Sequence, residues 1–175
     1  MNRLALALLT LSAALACDLP GTAENAEERF VERAASANML RVRLAYAALS
    51  HGSNEAVQKL AAGVLADERG ARAQLARAAF QSDIDVPGDL SRPHQREYIR
   101  LSGLRGDDFD RAYLAALIES HEQALPAFRA EAERSASAVG KWAAASLPAL
   151  EKRLSEAREL AAAPSPVRIS AASTD

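Results

Sequence analysis

Four long stretches of this chain repeat apolar residues every three or four positions, and none alternates apolar with polar. That spacing puts the apolar residues on one face of a helix and leaves no surface for a sheet. Phe30, Ala34, Ala37, Ala45, Ala48 and Leu49 mark the first stripe. Val57, Leu60, Ala61, Val64, Leu75 and Ala79 mark the second. Phe109, Tyr113, Ala116, Leu117, Ala124 and Phe128 mark the third, and Val139, Ala143, Leu150, Leu154 and Ala157 the fourth. Alanine fills much of the 49% hydrophobic share, while aromatics make up 5%. Alanine is the best helix former and a poor strand residue, so the composition agrees with the spacing.

Breakers set the limits. The first helix is expected from about Asn25 to Ser50, stopped by His51-Gly52. Ser53 is the expected N-cap of a second helix that runs to about Phe80. Pro87, Gly88 and Pro93 interrupt the pattern before a short helix over Pro93 to Ser102. A third long helix starts at Gly106-Asp107, with Asp107, Asp108 and Asp110 favourable at its positive end. The fourth covers Ala138 to Ala162. Two helical hairpins joined by one long crossover with a short helix inside it predict an all-α, ferritin-like antiparallel four-helix bundle over residues 25–163. Pro126 and Pro148 fall inside predicted helices, where each removes a backbone donor and is expected to bend its helix.

The two ends read differently. Residues 1–16 have the pattern of an export signal: Arg3, an apolar run from Leu4 to Leu15, and Ala14-Leu15-Ala16 at the cut. The cut falls before Cys17, the only cysteine, so no internal disulfide can form. A cysteine there resembles a lipobox, although Ala14 and Leu15 depart from its usual pattern. Cys17 is therefore the lipidation candidate, and membrane anchoring or free release into the periplasm are both open. Residues 17–24 are expected to be a polar leader and residues 164–175 a disordered tail. The net charge of −2 gives no reason to expect a nucleic-acid partner. No feature names a protein partner.

A helical wheel at about 100° per residue places several ionisable residues toward the core. Glu68 falls in the middle of its stripe, Arg41 and Arg153 fall inside theirs, His121 lies at an edge, and Glu131 points inward. A buried charge needs a partner. Depth counted from the turns makes Glu68, His121 and Arg153 level and offsets Arg41 by about 7 Å. The expected network is thus Glu68 with Arg153 and His121. His51 in a turn and His94 at a helix start are expected to be solvated, and Trp142 to cap the core.

From Phe30 to about Ala162 the chain resembles the exported bacterial family called domain of unknown function 4142. The resemblance rests on "FVERAASANM", "VLADE", "DFDRAYLAALIESHEQA" and "AAASLPALEKRL". It implies a ferritin-like fold and a metal site built from a glutamate on the first helix and a histidine on each of the other three. Here those positions hold Arg41, Glu68, His121 and Arg153. Arginine cannot ligate a metal. The Glu-x-x-His pairs of a di-iron bundle are missing, because Ile118 precedes His121 and Leu150 precedes Arg153 by three. A His-Glu-x-x-His peptidase motif fails at Leu125. The expectation is no metal, no cofactor and no catalytic residue. The alternative is a reduced metal or redox site made of Glu68, His121 and Glu122.

Overall fold

A computed structural model describes residues 20–163, and side-chain surroundings from residue 26 onward. The expected signal segment, lipidation candidate Cys17 and tail at 164–175 lie outside the described residues. Five helices follow one another: α1 Pro20–His51, α2 Glu55–Gln81, α3 Arg92–Ser102, α4 Gly106–Arg134 and α5 Ala138–Ala162. The described residues contain no strand. α1 packs on α2, α2 on α5, α5 on α4 and α4 on α1, while α3 lies on α1 and α4.

The helix ends show why the chain turns where it does. α1 starts at Pro20, five residues before the expected Asn25. Proline suits a first turn, where its missing N–H costs nothing. At the α1–α2 turn Gly52 is required by crowding: a Cβ there would lie 2.6 Å from Asp110 Oδ1 and 2.7 Å from the Ala48 carbonyl oxygen. Asn54, not Ser53, caps α2, accepting from the Ala56 N–H at 2.9 Å. Ser53 instead donates its hydroxyl to α4, at 2.6 Å from Asp107 Oδ1 and 2.9 Å from Asp110 Oδ2. Asp110 Oδ2 also accepts the N–H groups of Ser53 at 3.0 Å and Asn54 at 2.8 Å. A buried carboxylate of α4 therefore fastens the α1–α2 turn. At the other end Gly140 lets α5 pass the Ser135 carbonyl, which a Cβ would approach to 2.0 Å. α4 and α5 both continue through their prolines, which face solvent.

The buried apolar residues form two clusters. One holds Leu40, Leu44, Val57, Leu60, Val64, Leu65, Leu101, Phe109, Tyr113, Leu114 and Leu117. The other holds Phe30, Val31, Leu75, Leu125, Phe128, Val139, Trp142, Leu150 and Leu154. In the second, Phe30, Phe128 and Trp142 meet edge to face or tilted, with ring centroids 5.0 to 6.1 Å apart. Leu49, expected in the first stripe, is 42% exposed, and Leu40 and Leu44 take the inward positions. Along α1, α2 and α4 the two clusters are separated by Asn38 and Arg41, by Glu68, and by His121, all buried.

Candidate functional site

This polar layer crosses the interior and borders a cleft between α2 and α5. Arg41, Glu68, His121 and Arg153, one from each long helix, line the same cleft of about 370 Å³. Its wall is made by Phe128, Trp142, Leu150 and small residues such as Ala71, Ala145 and Ala149.

Glu68 is held by α1. Arg41 Nε donates to Glu68 Oε1 at 2.5 Å and an Nη donates to Oε2 at 3.1 Å. Asn38 donates to Glu68 Oε2 at 2.6 Å and to the Glu68 carbonyl oxygen at 2.7 Å. The second Nη of Arg41 reaches Ser120 Oγ on α4 at 3.0 Å. Both residues of the pair are more than nine-tenths buried. A two-pronged arginine–carboxylate contact is the strongest form of such a bond. The expected Glu68–Arg153 pair is not what forms. Arg153 Nε donates to Asp67 Oδ2 at 2.7 Å and Nη1 to Glu156 Oε2 at 2.6 Å. Its guanidinium lies against Gly63, where a Cβ would sit 2.6 Å from Nη1. The reason is register. The Asn38–Glu68 backbone contact makes α1 level with Glu68, which removes the offset counted from the turns. Asp67, one residue earlier, faces α5 and takes Arg153.

His121 is 1% exposed. Its Nδ1 lies 2.8 Å from the Leu117 carbonyl oxygen. A carbonyl only accepts, so Nδ1 carries the proton and Nε2 is left with a lone pair. Burial first, and the Arg41 charge second, push the His121 pKa down to about 4 against the pull of the Leu117 bond. The ring is neutral at pH 7. Below it, Tyr113 is fully buried, and burial followed by the Glu68 charge raises its phenol well above the ordinary range.

Other expected members lie elsewhere. Glu131 is buried, but it sits ten residues beyond His121 on α4 and pairs with Arg134, outside the central layer. Glu122 is exposed and pairs with Arg158 at 2.6 Å, so it cannot join Glu68 and His121 in a metal site. His94, expected in solvent, is half-buried with Nδ1 2.6 Å from Ser36 Oγ, and that hydroxyl also accepts the Ser91 N–H at 2.8 Å. This pair ties the crossover to α1. His51 is half-buried too, its ring edge-on to Phe109 at 5.5 Å. Asn38, Ser120 and Asp67 were missed from the sequence. Asn38 had a signal, because it lies three residues before Arg41 on one helical face.

A family model for a domain of unknown function, DUF4142, matches residues 13–160. The chain belongs to the DUF4142 family. No curated protein sequence matches it. Solved structures share its fold, two DUF305 proteins among them. A DUF305 fragment from Deinococcus radiodurans is 17% identical, with a TM-score of 0.68 over 78% of this chain and 95% of that one. A DUF305 protein from Streptomyces coelicolor, described as secreted, is 16% identical, with a TM-score of 0.66 over 79% and 91%. At such identities the likeness concerns the fold alone.

The metal site implied by the family resemblance does not fit these residues. Two of its four positions are guanidinium groups, and the carboxylate at the third is bonded through both oxygens to Arg41 and Asn38. Among the described residues no three His, Cys, Asp or Glu side chains gather as a cage for a metal. What the layer offers instead is a fixed ion pair beside a neutral imidazole.

Proposed function

We propose that this DUF4142 member is an exported envelope protein, a ferritin-like four-helix bundle without catalytic activity, in which an ion pair stands where the resemblance places a metal. The observation that supports it is the Arg41–Glu68 contact, with its 2.5 Å Nε–Oε1 bond, in a buried layer. Arg41 repels a cation and consumes the carboxylate that would hold one. Export is supported by the leading segment up to Ala16 and by the secreted description of one structural neighbour. Among the described residues no helix is long and apolar enough to cross a membrane. The test is metal analysis of the protein purified without an affinity tag and dialysed against iron, zinc and copper. The reading predicts no stoichiometric metal, and a gain of affinity in Arg41→Glu/Glu68→His/Arg153→His. One metal ion or iron pair per unmodified chain contradicts it.

One observation favours a second reading. The unpartnered lone pair on His121 Nε2 is a competent ligand for a single zinc or copper ion. On that reading the dialysed protein keeps one metal per chain and His121→Ala loses it.

A further inference from the structure

The cleft between α2 and α5 is built in a way that the ion pair does not explain. Its floor presents hydrogen-bond acceptors without partners, and its wall holds a buried unpaired donor, Trp142 Nε1. His121 Nε2 has no hydrogen-bond partner among the described residues, because the ring's only bond is through Nδ1 to its own helix. Asn38 Oδ1 is also buried and without a partner, since the Asn38 amide nitrogen is spent on Glu68. An unpaired buried acceptor such as Asn38 Oδ1 is costly, and structures rarely keep one without an occupant or water to satisfy it. Above this floor the walls are Phe128, Trp142, Leu150 and alanines. The opening persists because the facing positions on the two helices are small. At Gly70, on the rim, a Cβ would meet nothing within 4 Å.

The charges decide what fits. Arg41 and Arg153 line the cleft and disfavour a cation, while Asp67 and Glu68 disfavour an anion. All three nitrogens of Arg41 are turned to Glu68 and Ser120, and Nε and Nη1 of Arg153 to Asp67 and Glu156, which leaves Arg153 Nη2 as the cationic donor beside the cleft. A volume of about 370 Å³ is in the range of small-molecule sites. We propose that this cleft binds a small neutral molecule of the phenol or alcohol class, whose hydroxyl donates to His121 Nε2 and whose apolar body lies against Phe128 and Trp142. This site is independent of the non-catalytic reading and of the metal question, which chelator-treated protein removes.

Trp142 is the only tryptophan and lines the cleft, so its fluorescence reports on occupancy. The experiment titrates the chelator-treated mature protein with phenol and with anisole, which has the same ring and no donor. The proposal expects saturable change with phenol and binding of anisole about tenfold weaker, the worth of one buried hydrogen bond. His121→Leu is expected to abolish the preference. Gly70→Leu changes an exposed position and is expected to plug the mouth and weaken both ligands, with helicity unchanged by circular dichroism. No saturable change at millimolar phenol overturns the proposal, as does equal binding of phenol and anisole by the unmodified protein. Should His121→Leu fail to fold, the phenol-to-anisole ratio and Gly70→Leu still decide it.

Discussion

At the scale of the residue, His121 sets a pH dependence. Its pKa is 6.5 in an unstructured chain and about 4 in the fold, so the folded state binds the proton less well than the unfolded state. Above pH 6.5 both states are neutral there and stability is independent of this group. As pH falls from 6.5 to about 4 the unfolded chain alone gains the proton, and stability declines by about 3 kcal/mol in total. Urea melts across this window are expected to show that decline in the unmodified protein, on top of the carboxylate titrations, and to lack it in His121→Gln. Equal pH slopes for the two proteins would place the imidazole in water. The sequence pointed to Arg41, Glu68, His121 and Glu131 as inward residues, because a charge on an apolar stripe is visible in helical spacing alone. Which charge meets which was not legible. Pairing depends on the register between helices, and the Arg41–Glu68 choice over Arg153–Glu68 turns on about one turn of that register. Asp67 went unnoticed because it sits half-exposed beside the stripe rather than on it.

At the scale of the element, the helices were legible to within a few residues wherever a glycine or proline marked the end. α5 matches its expected limits, and α2 and α3 differ by one or two residues. α1 runs earlier than expected because the end of the stretch expected to be a polar leader is helical, with Pro20 in its first turn. The fastening of the α1–α2 turn by Asp110 was hidden, since fifty-odd residues separate it from Ser53 and Asn54 and its charge had an adequate local explanation at the start of α4. That contact carries a prediction. Asp110→Ala removes an acceptor of two backbone N–H groups and one hydroxyl. The expected loss is about 2–4 kcal/mol by urea melt, because bonds to a charged acceptor are worth more than neutral ones. Gly52→Ala drives a methyl group into the same carboxylate and the Ala48 carbonyl, and is expected to destabilise in the same direction. Unchanged midpoints in both variants would mean that the turn is held by α1 and α2 alone.

At the scale of the whole molecule, a polar layer divides the apolar core into two clusters, and four helices contribute to the cleft beside it. The all-α class followed from spacing and alanine content, and the five described helices and the DUF305 folds agree with it. The proposed export signal belongs to this scale as well. Intact-mass analysis of the native protein is expected to show a chain beginning at Cys17, with or without added lipid, and a retained Met1 would refute cleavage. The central claim is that Arg41 and Glu68 hold the layer together as a pair. Removing one partner strands a buried charge and costs about 3–5 kcal/mol, whereas replacing both with neutral groups costs less. The direct measurement is a double-mutant cycle by urea melt on chelator-treated protein, with Arg41→Met, Glu68→Gln and the combination. The account predicts that the double variant loses clearly less than the sum of the two single losses, and that the same cycle with Arg153→Met in place of Arg41→Met shows a much smaller coupling. Additivity within about 0.5 kcal/mol for Arg41 and Glu68 would contradict it.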